Sequence, residues 1–270
     1  MKRLPDFVFK PVSWLICERQ INEVISRHIE HIGVGFQPRV IEDLNLKIQV
    51  RGHDHMPDNP RCFFAANHPF GVIDGLLITY FVGQKYGDLR AIGNDAFLYI
   101  PNLKPLIAAV NVYGRSSRVY LAELEKVYQS DIPITHFPAG EVSRIYEGKI
   151  QDTLWQKSFI TKAISAQRDV VPIYFGGTNS ALFYAVYRSR KALGIKTNFE
   201  LALLPREALK KRNATIEVVI GKPIPWQTFD RSHTPHEWAQ KVRAHVYCLH
   251  ENPEVEFSTR MPLEAEPVPH

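Results

Sequence analysis

The sequence predicts an α/β domain in which helices cover a mixed, mostly parallel sheet. Apolar, strand-like runs alternate with helical patterns along most of the 270 residues, and this alternation is typical of parallel sheets. Hydrophobic residues make up 45% of the chain and charged residues 23%, so a large buried core is expected. In such sheets, ligands bind near the loops that leave the carboxyl ends of the strands.

Residues 1–45 are predicted to form a helical segment. Apolar residues recur every three or four positions from Trp14 to Ile32, and Gly33 is a typical helix stop. Two interpretations are open: the helix packs on the main domain, or its apolar face enters lipid beside the basic residues Lys2 and Arg3. Asp6 interrupts the apolar start and no cleavage site follows, so we expect no signal peptide. No apolar run reaches the ~18 residues that a membrane-spanning helix needs.

Residues 46–252 are predicted to form the main domain. The segment LKIQVRG alternates like a strand, and the turn-rich DHMPDNP separates it from the buried strand CFFAAN. Further strand candidates are LRAIGN, IAAVNVYG, IPITHFPAG, DVVPIYFGG and ATIEVVIGKPI. Helical spacing predicts helices over Asp74–Lys85, Ser116–Ser130, Trp155–Gln167, Ala181–Leu193 and the run PHEWAQKVRAHVYCLHEN. Residues 253–270, rich in Glu and Pro, are predicted to be a flexible tail.

The net charge of +5 permits attraction to anionic lipid, to an acidic carrier or to nucleic acid. No module interleaves basic residues with stacking aromatics, so we do not expect a nucleic-acid partner. The three cysteines are widely spaced, which indicates neither a zinc site nor a disulfide framework. Adjacent residues in the His53-Asp54-His55 cluster point apart, so no metal site is predicted there.

The stretch FFAANHPFGVIDGLL, residues 63–77, places a histidine and a carboxylate at the end of a predicted buried strand. A neutral imidazole accepts a proton near pH 7, and a carboxylate on its other nitrogen orients it. His68 and Asp74 meet this need if the intervening turn folds back, and Gly71 allows the backbone angles that such a turn requires. The chain has no G-x-S-x-G elbow, so the pair is better suited to activating a substrate hydroxyl than a protein serine. On local sequence alone, a structural histidine beside a helix-capping aspartate is the alternative.

Four sequence blocks resemble those of the glycerolipid (lysophospholipid) acyltransferase superfamily. NHPFGVIDG resembles its first block, N-H-x-x-x-x-D, and AAVNVYGR, residues 108–115, resembles the second. FPAGEVSR, residues 137–144, resembles the third block, usually F-P-E-G-T-R-S, and VVPIYF, residues 170–175, resembles the apolar fourth. The blocks occur in the family's order and lie at predicted strand ends. The resemblance covers most of the chain and implies the glycerol-3-phosphate acyltransferase-like α/β fold.

Two departures from the family pattern bear on the substrate. Five residues separate His68 from Asp74, one more than in the common form, and we interpret the extra residue as a bulge at Gly71. Ala139 occupies the position where the family carries a glutamate that helps to seat a glycerol-phosphate headgroup, and Glu141 follows two places later. FPAGEVSR followed by DTLWQKSF resembles the branch linked to ornithine- and glycine-type aminolipids and to putative hemolysins. For an acyltransferase of this kind, the resemblance leaves two acyl acceptors open: lysophosphatidic acid and a lyso-aminolipid.

The resemblance implies an O-acyltransferase that moves a fatty acyl group from acyl-CoA or acyl carrier protein to the hydroxyl of a lyso-lipid. It implies a peripheral protein on the cytoplasmic face of a membrane surface, without a cofactor. A non-catalytic lipid-binding protein that keeps the fold is the alternative.

In this interpretation His68 is the general base and Asp74 orients its ring. Arg115 binds an acceptor phosphate or carboxylate, and backbone N–H groups near Gly71 or Gly140 stabilise the oxyanion. The full set of substrate-binding candidates is Asn67, Gly71, Arg115, Pro138, Gly140, Glu141 and Arg144.

Overall fold

The computed structural model describes residues 13–110, 118–146 and 148–261, and its strands form one large sheet and one small hairpin. The sheet contains β1 (Lys47–Arg51), β2 (Cys62–Ala66), β3 (Arg90–Asn94), β4 (Ile107–Val110), β5 (Ile134–His136), β8 (Asp169–Gly176) and β9 (Thr215–Ile220). The hairpin consists of β6 (Arg144–Tyr146) and β7 (Lys149–Gln151). The strand order of the sheet is β1-β9-β8-β2-β5-β3-β4.

Helices cover the sheet. They are α1 (Glu18–Arg27), α2 (Phe36–Asp43), α3 (Val72–Tyr86), α4 (Arg118–Gln129), α5 (Ser158–Ala166), α6 (Ala181–Ala192), α7 (Leu204–Lys210) and α8 (Pro235–Cys248). None of the helices in the described ranges has both the length and the apolar surface that a membrane crossing requires.

Strand direction confirms the predicted mixed, mostly parallel sheet. The neighbours from β8 through β2, β5 and β3 to β4 pair in parallel, whereas β9 runs antiparallel to β8 and parallel to β1. Ala65 lies opposite His136, and Ala66 lies opposite Ile173. The carboxyl ends of β2, β5 and β8 therefore meet at one edge, as expected for the residues that follow them.

The core lies on both faces of the sheet. Strand β2 is fully buried and alternates between them: Phe64 and Ala66 belong to the apolar cluster that contains Leu77, and Phe63 and Ala65 to the one that contains Trp155. A strand that is apolar on both faces is typical of a central parallel strand, because helices cover both of its surfaces.

The N-terminal helix is shorter than the pattern predicts. Cys17 adopts a left-handed conformation (φ 56°) just before α1, and the helix ends at Arg27 rather than at Ile32. Beyond it, the Asn102 side chain donates hydrogen bonds to the carbonyls of His28 (2.7 Å) and His31 (2.8 Å). These bonds tie the segment to the main domain, because they satisfy carbonyls that a continued helix would have used itself.

The C-terminal tail also differs from the prediction over residues 253–261, which lie against the domain. Phe257 packs edge-on against Phe229 and beside Trp238. The Lys241 ammonium donates to the main-chain oxygens of Thr259 (2.8 Å) and Met261 (2.7 Å). Composition alone does not reveal the aromatic packing of Phe257 or the hydrogen bonds from Lys241, so it predicted a flexible tail. Residues 262–270 lie outside the described residues.

Lowering the pH should reduce the free energy of unfolding through His245, a residue of α8. This side chain is fully buried, and burial lowers its pKa from 6.5 to about 4. Between those two values only the unfolded chain binds the proton, so stability present above pH 6.5 is lost as the pH falls towards 4. A His245→Leu variant lacks this component, which is worth up to about 3 kcal/mol.

Urea unfolding of both proteins at about pH 7.5 and about pH 4.5 measures the effect. The stability difference between them should shift in favour of the leucine variant at the lower pH. A constant difference would show that burial does not lower the pKa of His245.

Candidate active site

Asn67 fixes the end of strand β2. Its buried side chain donates to the Phe175 carbonyl (2.9 Å) and accepts from the Phe175 N–H (2.7 Å), so it ties β2 to β8 where the two strands end. All of its visible hydrogen-bonding capacity goes to the main chain. Asn67 thus holds the turn, and the next residue, His68, emerges at a defined position.

His68 and Asp74 come together as the sequence predicted. His68 Nδ1 lies 3.1 Å from Asp74 Oδ2; the aspartate is fully buried and the histidine side chain is 16% exposed. The angle of this contact falls short of a well-aligned hydrogen bond. Catalytic hydrogen bonds are often imperfect before substrate binds and tighten in the reacting complex. An Nδ1–H directed at Asp74 leaves Nε2 as the basic nitrogen.

The first turn of helix α3 stabilises the Asp74 carboxylate. Oδ2 accepts from the N–H groups of Phe70 (2.9 Å) and Gly71 (3.2 Å), and Oδ1 accepts from the Gly75 N–H (2.9 Å). The positive end of the helix dipole adds to this stabilisation. A buried carboxylate needs such donors, because burial without them strongly disfavours the charge.

Gly71 makes the five-residue interval between the pair possible. Its φ of +87° is readily available only to glycine, and a Cβ there would lie 2.9 Å from Leu204 and 3.0 Å from Val142. The extra residue is thus absorbed in the turn immediately before Val72, where α3 begins.

Two residues at the end of β5 interact with the His68 side chain. Phe137, which follows β5, stacks on it with ring centroids 3.9 Å apart and an interplanar angle of 22°. The neighbouring His136 has its pKa lowered to about 4, first by burial and second by His68 itself. His136 is therefore neutral at physiological pH, and Phe137 restricts the plane in which the His68 ring lies.

Asp152 holds the main chain of His68, a role that the sequence did not reveal. Its Oδ1 accepts from the His68 N–H (3.1 Å) and the Ser143 hydroxyl (2.6 Å), and its Oδ2 accepts from Trp155 Nε1 (2.9 Å). The Ser143 N–H in turn donates to the His68 carbonyl (2.8 Å). Complete burial raises the pKa of Asp152, and the bonds from Ser143 and Trp155 oppose that rise. The only signal in the sequence was the DTLW segment itself, whose partners are brought in by folding.

The segment after β5 carries several predicted binding residues to the same edge. Pro138 and Ala139 are buried, and Gly140 is exposed with a φ of +72°. The Gly140 N–H donates to the Phe137 carbonyl (3.0 Å), and Glu141 accepts from the Tyr146 hydroxyl (2.9 Å). The Gly71 and Gly140 N–H groups thus have internal acceptors in this conformation, and their oxyanion role stays a prediction.

Of the two arginines predicted to bind substrate, the structure describes only Arg144. Arg144 is fully buried, lies 3.2 Å from Glu200 and packs over the Phe183 ring, so its guanidinium faces the interior rather than the site edge. Sequence reasoning missed this pairing because Glu200 is far away along the chain. Arg115 lies outside the described residues.

Comparison with known proteins shows the family of the chain. The family model described as acyltransferase matches residues 1–255. The chain belongs to this acyltransferase family. It is an acyltransferase of the lysophospholipid acyltransferase superfamily, which favours an enzyme over the non-catalytic alternative.

Two curated relatives of this acyltransferase carry the name lyso-glycine lipid O-acyltransferase. The protein from Phocaeicola vulgatus is 40% identical over 249 residues, covering 92% of this chain and 89% of its own. The protein from Bacteroides thetaiotaomicron is 39% identical, with 92% of each chain covered. A solved structure of the 1-acyl-sn-glycerophosphate (LPA) acyltransferase PlsC from Thermotoga maritima is more distant, with 16% identity, a TM-score of 0.48, and coverage of 90% of this chain and 93% of that chain.

Replacing Asp152 by asparagine should weaken both the fold and the reaction. An amide presents an NH2 group where the carboxylate had an acceptor, so at least one buried donor loses its partner, at a cost of about 1–3 kcal/mol. We expect a lower free energy of unfolding and a kcat that falls at least ~10-fold with little change in KM, because misplacing a catalytic group slows the chemical step.

The Ser143→Ala variant is the matched control for this experiment. It removes one donor and leaves the carboxylate in place, so its effect on kcat should be smaller. An Asp152→Asn enzyme with the wild-type kcat would contradict a positioning role for Asp152.

Proposed function

We propose that this acyltransferase transfers a fatty acyl group from an acyl thioester, acyl-CoA or acyl carrier protein, to the hydroxyl of a lyso-lipid. The observation that carries the proposal is the contact between His68 and Asp74, 3.1 Å apart, in a chain of this family. The curated relatives named for acylation of a lyso-glycine lipid support the lyso-lipid acceptor.

In the proposed reaction, His68 Nε2 removes the proton of the acceptor hydroxyl as its oxygen attacks the thioester carbonyl carbon. Asp74 keeps the other nitrogen protonated and stabilises the imidazolium that forms. The tetrahedral intermediate then collapses, the carbon–sulfur bond breaks, and the imidazolium returns its proton to the leaving thiolate. A thioester is already activated, so no covalent acyl-enzyme is required.

Within the lyso-lipids, we propose a lyso-aminolipid rather than lysophosphatidic acid as the acceptor. The position of the family glutamate is occupied by Ala139, which is 4% exposed and belongs to an apolar cluster. No carboxylate from that position is available for a glycerol-phosphate headgroup. Arg115 stays our candidate for the acceptor's acidic group, and Pro138 and Glu141 stay candidates for substrate binding.

We further propose that the enzyme works as a peripheral protein on the cytoplasmic face of a membrane. A lyso-lipid acceptor partitions into bilayers, and both candidate donors are carried in water, so the reaction joins two phases. Near the N-terminus, Trp14 is 78% exposed, which supports the lipid-facing interpretation of that segment.

A His68→Ala variant tests the catalytic assignment. Loss of a correctly placed general base should reduce the rate of acyl transfer by ~10²–10⁴, and Asp74→Ala should reduce it somewhat less. The assay combines labelled acyl-CoA or acyl carrier protein with a panel of acceptors that includes lysophosphatidic acid and a lyso-glycine lipid. His236→Ala, which removes an exposed imidazole from the start of α8, should keep the wild-type rate. Equal product formation by the His68→Ala and wild-type enzymes would refute the proposed mechanism.

A further inference from the structure

Helix α6 and the residues after it present an exposed face that the proposed reaction does not use. We call it the α6 surface and define it by Leu182, Arg188, Lys191, Leu193, Lys196 and Phe199, all exposed. Every residue from 191 to 199 is exposed, so the surface continues from the helix into the segment that follows it.

The apolar side chains of the α6 surface are more exposed than a folded domain requires. Leu193 is 73% exposed and Phe199 56%, while Leu182 and Ile195 are each 37% exposed. Leu182 and Leu193 project from the same side of the helix, because they are eleven residues apart, close to three full turns, whereas Lys191 projects from the other side. The apolar and cationic side chains of the α6 surface therefore adjoin around the end of the helix, within residues 191–199. Clustered apolar exposure of this kind marks a surface that contacts a partner or a membrane.

The charged residues of the chain segment that carries these side chains have one sign. Residues 170–199 contain no aspartate or glutamate. Arg190 of the same helix turns inward to Glu200, with Nε and Oε2 2.8 Å apart. Across the described part of the chain, Lys191 and Lys196 form no ion pair. Cations that flank exposed apolar side chains favour the interface of an anionic bilayer.

The start of α6 packs beside the candidate active site. Phe183 and Tyr184 form an apolar cluster with Val142, the residue that a Cβ on Gly71 would meet at 3.0 Å. Just before the helix, the Asn179 amide donates to the Pro69 carbonyl (3.1 Å). The start of α6 thus lies beside the turn that carries His68, and the exposed end of the helix lies ~15 Å further along its axis.

We propose that the α6 surface docks the enzyme on an anionic lipid bilayer, with Leu193 and Phe199 inserted and Lys191 and Lys196 at the headgroups. The proposal rests on the proposed function, since a lyso-lipid acceptor gives the enzyme a reason to face a bilayer. An acidic acyl carrier protein would match the cations, but the degree of exposure of Leu193 and Phe199 favours an apolar phase.

Vesicle flotation with the full chain tests this surface. Vesicles of phosphatidylcholine with about one-third phosphatidylserine are compared with phosphatidylcholine alone, for wild type, Lys191→Gln/Lys196→Gln and Leu193→Ser/Phe199→Ser. The control is Lys126→Gln/Arg231→Gln, which removes the same amount of charge near the amino ends of the parallel strands. Lys126 lies on α4, which leads into the start of β5. Arg231 is close in sequence to Trp226, whose N–H donates to Asp169, the first residue of β8. The two surface variants should bind anionic vesicles at least ~10-fold more weakly than wild type, and the control should bind like wild type.

Activity separates this proposal from the proposed function. Both surface variants should lose acyl transfer to an acceptor held in vesicles and keep the wild-type rate on the same acceptor in detergent micelles. If wild type acylates no acceptor in either form, the proposed function fails, while flotation still decides the surface. If both surface variants float with anionic vesicles as well as wild type does, that result overturns the docking proposal. A raised KM for acyl carrier protein with unchanged flotation does so too, and assigns the surface to the carrier.

Discussion

A buried carboxylate within reach of an imidazole is the constraint on which the active-site edge depends. Asp74 has no exposure to water, so its charge requires donors from the protein. Those donors are main-chain N–H groups at the start of α3, and they are available to Asp74 because the N–H groups at a helix N-terminus have no acceptor within the helix. The positive φ of Gly71, the start of the helix and the place of His68 at the strand end therefore form one linked arrangement.

Three side chains outside the turn between His68 and Asp74 restrain the histidine. Asn67 ties β2 to β8, Phe137 brings the residue after β5 onto the imidazole ring, and Asp152 reaches the His68 main chain from beyond the hairpin. Parallel pairing of β2 with β5 and with β8 brings the carboxyl ends of these three strands to one edge. Phe137 thus restrains the plane of the ring, Asp152 the main chain, and Asp74 the Nδ1 side of the ring. Such pre-organisation lowers the cost of reaching a reactive geometry.

The parts of this arrangement that could be predicted are the local ones. His68, Gly71 and Asp74 lie within one short turn, and apolar runs with known periods identified the strands and most helices. Asp152 could not be found, because nothing beside it in the sequence indicates that it bonds to His68. Arg144 was assigned to substrate for the same reason: only folding brings Glu200 to it. Helical spacing predicted α6, but periodicity does not say which apolar residues stay in water, and the hairpin strands are too short to show a period.

The small side chain at position 139 has a consequence for how headgroup preference changes among related enzymes. Ala139 belongs to the same apolar cluster as Trp155 and Phe159. If Ala139 sets the class of acceptor, as we propose, that selectivity is built into the interior of the domain. A glutamate introduced at that position would bring a charge into a region sized for a methyl group. Converting the enzyme to a different class of acceptor would therefore require coordinated changes in the residues beneath the site, and evolution between the two classes must pass through a remodelled interior.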